Sequence, residues 1–191
     1  MKTRNPIERS ALLVIDAQDS FMCGERWTRR NNPAFEGNVS RLIDAYRNAK
    51  LPVLFFLDSD DEDGDAEFRP GSPYFKLMDF IAAREDEPVI TKTTRNCFTS
   101  TSLDEILKQK DVSRVIVTGI KTEQCCETTA RVASDMGYDV DFVTEATLTF
   151  PIASPAGGGL SADDVVERTE YALRDRFAKI QTVDDILAEI L

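Results

Sequence analysis

Short apolar runs rich in β-branched residues alternate along the chain with segments whose apolar residues recur at helical spacing. Most of the runs are apolar throughout, as strands buried on both faces of a parallel sheet are. They predict five strands, over residues 11–16, 52–58, 88–92, 114–119 and 139–146.

The helical segments lie between these strands and after the last one. Apolar positions three and four residues apart predict an amphipathic helix in each. The expected helices cover residues 38–50, 101–110, 122–137, about 161–178, and 183–191. Ser161 is expected to be the N-cap of the fourth, because acids fill the turn that follows it. The least regular segments are 22–37, 58–75 and 147–160.

This alternation predicts an α/β fold, with three α/β/α layers around a mostly parallel, doubly wound sheet. Sites in such folds lie beyond the carboxyl ends of the strands, near the switch in strand order. Asp16, Asp58 and Lys92 end the first three strands, and the sequence GIKTEQCC follows the fourth. The first and fourth strands flank the switch in the usual order, so Asp16 and Cys125 are expected to face each other.

Chain length and net charge limit the number of domains and the classes of binding partner. A chain of 191 residues with 42% hydrophobic content supports one substantial core and one domain. Its net charge of −11 would be repelled by phosphate backbones and by anionic lipids, so neither nucleic acid nor a membrane is an expected partner. The longest apolar runs are too short to span a bilayer, and we expect a soluble, cytoplasmic protein.

The cysteines point to a reducing compartment. Four of them, at 23, 97, 125 and 126, occur without a secretory signal, and the adjacent pair cannot readily form a disulfide. The chain contains no histidine. A nucleophilic thiol is usually activated by an imidazole, so another base would be needed here.

A carboxylate is the natural substitute. Cys125 lies in the first turn of a predicted helix, where the helix dipole and a nearby Lys92 would favour the thiolate, and Asp16 can accept a proton during attack. Each residue alone has an ordinary explanation. Asp16 can cap the turn after its strand, Lys92 can be solvated, and Cys126 can be a small buried residue. Their convergence on one sheet edge favours the catalytic interpretation.

Three segments carry a resemblance to a known family. They are LLVIDAQDSF, ITKTTRNCFTSTSLDEIL and VIVTGIKTEQCCETTARVASDMGYDVDFVTEA, in this order between residues 11 and 150. Together they resemble the isochorismatase-like cysteine hydrolase superfamily. That superfamily includes nicotinamidases, N-carbamoylsarcosine amidases, ureidoacrylate amidohydrolases and biuret hydrolases.

The resemblance implies one Rossmann-like domain over residues 1–191 that hydrolyses a non-peptide C–N bond in a small-molecule amide or ureido substrate. It implies Cys125 as nucleophile, Asp16 as general base and acid, and Lys92 as electrostatic support. It also implies a cis peptide bond between Ile120 and Lys121, with the N–H groups of Lys121 and Cys125 as an oxyanion hole. A homo-oligomer, dimeric or tetrameric, is implied as well.

The departures from the family also matter. Nicotinamidases carry histidines after the second strand, where this chain reads LDSDDEDGDAEF. Zinc or iron held by imidazole is therefore excluded, and we expect neither a metal nor another cofactor. The acidic run 58–65 offers hard oxygen ligands to Mg²⁺ or Ca²⁺, or is simply a solvated loop. Nicotinamide is disfavoured as a substrate, and the retained cysteine favours amide hydrolysis over vinyl ether hydrolysis.

Substrate choice stays open among carboxamide, carbamoyl and ureido compounds. The candidate substrate-binding residues lie on predicted loops around the site and are Phe21, Trp27, Arg69, Arg95, Asn96 and Phe150. The aromatic residues can supply an apolar wall or close the core. Arg95 can clamp a substrate carboxylate or pair with a surface acid.

A second class of function also stays open, a thiol redox or binding protein that keeps the fold without turnover. The combination of Asp16, Lys92 and Cys125 discriminates between the two, because redox sensing does not require it.

Overall fold

The computed structural model describes residues 5–59 and 66–190, and eight strands lie in these ranges. Their bounds are β1 Ser10–Ile15, β2 Val53–Asp58, β3 Val89–Lys92, β4 Arg114–Ile120, β5 Asp139–Leu148, β6 Ile152–Ala153, β7 Gly159–Leu160 and β8 Lys179–Ile180. Six of them form one parallel sheet in the order β3-β2-β1-β4-β5-β8, and β6 and β7 form an antiparallel hairpin.

Five α-helices connect or follow the strands. They are α1 Phe35–Asn48, α2 Leu103–Gln109, α3 Glu127–Asp135, α4 Ala162–Leu173 and α5 Val183–Ile190. Short 3₁₀ helices cover Ile7–Arg9, Asp19–Met22, Glu25–Arg29 and Ala66–Phe68, and a π-helical turn covers Thr122–Cys126. Within the described ranges, the helices are too short or too polar to cross a lipid bilayer.

Side chains that alternate along the strands divide the core between the two faces of the sheet. Leu12 and Val14 of β1 belong to a cluster that includes buried residues of α1 and α5. Leu13 and Ile15 point the other way and belong to a cluster with α2, α3 and α4. Both faces of β1 are therefore covered, which confirms the three-layer, doubly wound α/β fold.

The switch in strand order lies between β1 and β4. These two central strands pair in parallel from Ser10 with Arg114 to Ile15 with Gly119. Asp16 follows the end of β1, and the cysteine-bearing turn follows β4 by one residue. The topology thus brings these two segments to the same edge of the sheet, as the strand pattern predicted.

Two predicted helix boundaries are wrong. Helix α1 begins at Phe35, three residues before the predicted start, and the Phe35 side chain is completely buried in the core. Helix α4 begins after Ser161, which is its N-cap as predicted and forms a capping box with Asp164, but the helix ends at Leu173 and not near 178. After Leu173 the chain turns through Asp175, whose φ is +60°, and enters β8.

The sequence also missed β8 and the hairpin of β6 and β7. Each of these strands has only two residues, too few to show an alternating pattern. Their pairing depends on neighbours distant in sequence. Strand β8 extends the sheet because Lys179 and Ile180 align with Asp141 and Phe142 of β5.

Gly119 permits the close approach of β1 and β4. Its φ is +125°, and a Cβ atom added to it would lie 1.9 Å from the carbonyl oxygen of Ile15. The obstacle is backbone in a central strand, which cannot move aside as a flexible side chain can. A side chain here would separate the two strands that position Asp16 and Cys125.

We expect Gly119→Ala to lower the free energy of unfolding by about 3 kcal/mol or more, since it combines backbone strain with overpacking. Urea denaturation of the purified variant measures the change. Gly37→Ala is the control, because a Cβ there meets no atom within 4 Å and Gly37 lies in α1. It should raise stability by about 0.5–1 kcal/mol. Equal stabilities for the two variants would contradict the steric argument.

Candidate active site

Cys125 lies in the π-helical turn that begins one residue after the end of β4, and Cys125 is only 3% exposed. The turn continues into α3 without a break. Buried apolar residues of the α2, α3 and α4 face surround the adjacent Cys126, which is completely buried. Of the two neighbouring thiols, Cys125 lines the cavity at this edge and Cys126 belongs to the core, as the sequence suggested for Cys126.

The ammonium group of Lys92 is the centre of the site. Its Nζ lies 2.9 Å from Oδ2 of Asp16, 2.7 Å from Oδ1 of Asp58 and 3.5 Å from Sγ of Cys125. The Lys92 side chain is completely buried. Burial lowers the pKa of Lys92, but Asp16, Cys125 and Asp58 together outweigh burial and raise that pKa above its ordinary value. Lys92 therefore remains a cation.

Asp16 sits at the end of β1 with its carboxylate fully buried. Its φ is +51°, a left-handed conformation that aspartate tolerates better than most residues. Burial, and secondarily the charge of Asp58, raise the pKa of Asp16 to about 7, although Lys92 opposes them. A carboxylate with such a pKa can exchange protons near neutral pH.

The thiol of Cys125 differs from the sequence-based expectation. Burial raises its pKa well above the ordinary cysteine value, Asp16 adds to the rise, and Lys92 opposes it. The helix dipole and Lys92 were expected to favour the thiolate, but loss of solvation next to a carboxylate is the larger effect. Cys125 therefore rests as a thiol and needs a base for attack. Its Sγ lies within 4.8 Å of a carboxylate oxygen of Asp16.

Asp58 completes the cluster, and Gln18 holds its backbone. The Gln18 Oε1 atom accepts a hydrogen bond of 2.7 Å from the Asp58 N–H, and Gln18 Nε2 donates to the Asp58 carbonyl at 3.2 Å. The second carboxylate oxygen of Asp58 contacts Nη1 of Arg95 at 3.4 Å. Asp58 thus links the loops after β1, β2 and β3.

Two carboxylates and the thiol of the site are close enough together to be considered as ligands of a cation. Ligand atoms of Asp16, Asp58 and Cys125 all lie within 4.8 Å of one another. The Lys92 ammonium is close to all three, so a metal ion bound there would have to displace it. Of the acidic run 58–65, residues 60–65 lie outside the described ranges, so both alternatives for that run, cation binding and a solvated loop, stay open.

A cavity of about 390 Å³ opens in front of Cys125. Loops that follow four different strands supply its walls. The lining residues are Phe21, Arg26, Asp58, Phe68, Arg95, Lys121, Glu123, Gln124, Cys125 and Thr128. Phe21 and Phe68 meet edge to face with ring centroids 4.9 Å apart and form an aromatic wall.

Two of the six candidate substrate-binding residues, Phe21 and Arg95, line this cavity. The other four lie outside its lining. The Arg30 guanidinium lies 4.0 Å from the centroid of the Trp27 ring, which packs against the core. Phe150 stacks on Phe21 with ring centroids 6.2 Å apart and so supports the aromatic wall. A predicted position on a loop near the sheet edge was therefore not enough to identify the residues that line the cavity.

The two remaining polar candidates also serve elsewhere. Oδ1 of Asn96 accepts hydrogen bonds from the N–H groups of Phe98 and Thr99, so this side chain stabilises its own loop. Arg69 lies on the exposed surface after the 3₁₀ helix Ala66–Phe68. Neither residue lines the cavity in front of Cys125.

The peptide bond between Ile120 and Lys121 is cis. Lys121 is the N-cap of the π-helical turn, and its carbonyl oxygen accepts hydrogen bonds from the N–H groups of Gln124 and Cys126. Lys121 and Cys125, the two residues whose N–H groups the resemblance assigned to an oxyanion hole, both line the cavity.

Sequence reasoning missed several residues of the site. Asp58 was noted at a strand end but not as a partner of Lys92, and Gln18 was not singled out. Gln18 could have been singled out, because it is a polar residue only two positions after Asp16, close to the end of β1. Arg26 and Phe68 carried no such signal, because they lie in segments without a periodic pattern.

Comparisons with known proteins show which family this chain belongs to. The model of the isochorismatase domain family matches residues 10–184. Nicotinamidase 3 of Arabidopsis thaliana is 33% identical over 163 residues, which cover 78% of each chain. The uncharacterized isochorismatase family protein YrdC of Bacillus subtilis is 28% identical over 184 residues, covering 96% of this chain and 97% of that protein.

A solved structure shows the same fold. The crystal structure of an isochorismatase-family protein from Chromobacterium violaceum matches with a TM-score of 0.90 at 28% identity, covering 98% of this chain and 96% of that one. Its sheet and helices therefore correspond over nearly the whole length. The family model alone spans most of this chain, and the chain belongs to the isochorismatase family of hydrolases.

Proposed function

We propose that this protein hydrolyses a C–N bond of a small-molecule carboxamide, carbamoyl or ureido compound through a thioester at Cys125. The observation that carries the proposal is the buried cluster in which Lys92 lies 2.9 Å from Asp16 and 3.5 Å from Cys125, on a cavity that Cys125 lines. Redox sensing does not require this combination.

The first step is attack on the substrate carbonyl. Because the raised pKa keeps Cys125 protonated, Asp16 accepts the thiol proton as the sulfur bonds to the carbonyl carbon. The Lys92 ammonium stabilises the negative charge shared by the sulfur and the carboxylates. The oxyanion of the tetrahedral intermediate would accept hydrogen bonds from the N–H groups of Lys121 and Cys125.

The second step releases the amine, and the third restores the enzyme. Protonated Asp16 gives its proton to the departing nitrogen as the C–N bond breaks, which leaves the acyl group on Cys125. The Asp16 carboxylate then takes a proton from a water molecule that attacks the thioester. The acid product leaves, and the proton returns to the sulfur. One carboxylate with a pKa near neutrality serves both halves of the reaction.

Two alternatives have weaker support. Vinyl ether hydrolysis of the isochorismatase type does not need a thiol, so the placement of Cys125 beside a base favours amide hydrolysis. A redox role would need a reactive thiolate, and burial raises the pKa of Cys125 well above the ordinary cysteine value. Cys126 is completely buried and adjacent in sequence, and burial also raises its pKa well above the ordinary value.

A panel of carboxamides, ureido acids and carbamoyl acids, assayed for ammonia release, tests the proposal. We expect at least one compound to be hydrolysed, and Cys125→Ser to reduce kcat/KM about 10³-fold or more. Cys23→Ser is the matched control, since Cys23 lies outside the cavity lining, and it should retain full activity. A chelator should have no effect. Hydrolysis that survives in Cys125→Ser, or that a chelator abolishes, would overturn the mechanism.

The pH dependence tests the role of Asp16. As a base, Asp16 must be ionised, and its pKa of about 7 means that it is protonated below neutrality. The value of kcat/KM should therefore rise about tenfold per pH unit below pH 7 and level off above it. This rise is the acidic limb of the pH profile. Asp16→Asn should abolish the activity and, with it, the acidic limb. Asp163→Asn, on the exposed start of α4, should leave the profile unchanged. An acidic limb near pH 4 would contradict the assignment.

Asp58 is expected to act as a positioning residue. Its carboxylate holds Lys92, and its charge contributes to the raised pKa of Asp16. Asp58→Asn should therefore lower kcat/KM by about 10- to 100-fold and move the acidic limb to lower pH. Asp58→Glu should partly restore both. A loss of activity with the limb still at pH 7 would indicate a purely structural role.

A further inference from the structure

We propose that the cavity in front of Cys125 selects substrates that carry a carboxylate, and that Arg26 and Arg95 bind this group. The inference rests on the proposed function, because it names the substrate class of the same site. It predicts a small carboxylic acid whose amide, carbamoyl or ureido group lies a few bonds from the carboxylate.

The two arginines reach the cavity from different loops. Arg26 belongs to the 3₁₀ helix Glu25–Arg29, which follows β1, and Arg95 lies in the loop after β3. Both line the cavity together with Cys125. Two guanidinium groups that converge from separate segments on one cavity can hold an anion between them.

Arg95 connects this anion site to the reacting atoms. Its Nη1 contacts Oδ2 of Asp58 at 3.4 Å, and Asp58 lies beside both Lys92 and Cys125. The contact is longer than an ordinary charge-assisted hydrogen bond. The Arg95 side chain is 45% exposed, and a guanidinium has five N–H donors, so its contact with Asp58 is compatible with a second acid.

Arg26 lies over the aromatic wall. Its guanidinium carbon is 5.8 Å from the centroid of the Phe68 ring, within the range of a cation–π contact. Phe68 in turn meets Phe21 edge to face. A bound acid could therefore place its carboxylate at the arginines and its carbon skeleton against the two rings.

The charge of the lining contrasts with that of the whole chain, which carries −11. Among the described residues, the lining contains three cationic side chains, Arg26, Arg95 and Lys121, and two acidic ones, Asp58 and Glu123. Asp58 is already paired with Lys92. Cationic side chains thus outnumber acidic ones in the described part of the lining, which favours the entry of an anion.

Matched substrates test this selectivity. Each N-carbamoyl or ureido acid that the enzyme hydrolyses is compared with its methyl ester, which keeps the reacting group and loses the charge. We expect kcat/KM to favour the acid by about 10- to 100-fold, mainly through KM. Arg26→Gln and Arg95→Gln should each reduce this preference about tenfold. Arg29→Gln is the control, because Arg29 is on the same 3₁₀ helix, exposed and outside the lining.

A second measurement does not depend on turnover. Iodoacetate and iodoacetamide both alkylate a thiol, since the sulfur displaces iodide and releases its proton, but only iodoacetate carries a carboxylate. In a Cys23→Ser background, mass spectrometry follows modification of Cys125. The ratio of the iodoacetate rate to the iodoacetamide rate should fall several-fold in Arg26→Gln and Arg95→Gln and stay constant in Arg29→Gln. The iodoacetamide rate corrects for any change in thiol reactivity.

The outcomes separate the two proposals. If no compound of the panel is hydrolysed, the proposed function fails, and the alkylation ratio alone decides whether the cavity binds carboxylates. If compounds are hydrolysed, the acid-to-ester comparison decides. Equal kcat/KM for acids and esters in the wild type would overturn carboxylate recognition and leave amide hydrolysis standing. A preference for acids over esters that both arginine variants retain would also overturn carboxylate recognition.

Discussion

The site depends on one buried cation. The Lys92 ammonium has no exposure to solvent, and a lone charge in such a position would be very costly. Contacts with Asp16 and Asp58 at 2.9 and 2.7 Å stabilise it. The dependence is mutual, because the same cation keeps two neighbouring carboxylates from excessive repulsion. Removing any one of these charged groups would leave the others uncompensated in the interior.

The chemistry follows from how this cluster distributes charge. Burial alone would make both Asp16 and Cys125 reluctant to ionise, and the pKa of each is raised. Lys92 opposes both shifts, so negative charge can move from the carboxylate to the sulfur and back while it stays beside the ammonium. The site can therefore activate a thiol in a chain that contains no histidine. The scaffold supports this because parallel strands deliver their carboxyl-terminal residues to a single edge.

Much of the fold could be read from local patterns. Apolar runs indicated the five longer strands, because burial requires apolar side chains over several consecutive residues. Ser161 and the acidic residues after it indicated the start of α4, because helix capping also depends on a few neighbouring residues. Local patterns failed where neighbours distant in sequence decide the structure. The two-residue strand β8 exists only because β5 offers it an edge, and α4 ends early because the chain must turn to reach that edge.

The sequence by itself determined which residue types are available and which of them converge. The order of strands and the positions of Asp16, Lys92 and Cys125 at strand ends predicted their common location, because sheet topology places all carboxyl ends together. Only the tertiary structure decided the electrostatics and the shape of the cavity. Burial reversed the expected direction of the Cys125 pKa, and the loop paths selected Arg26, Arg95, Phe21 and Phe68 over other loop residues. Solvent exclusion and loop packing are sums over many distant contacts, and no short stretch of sequence encodes them.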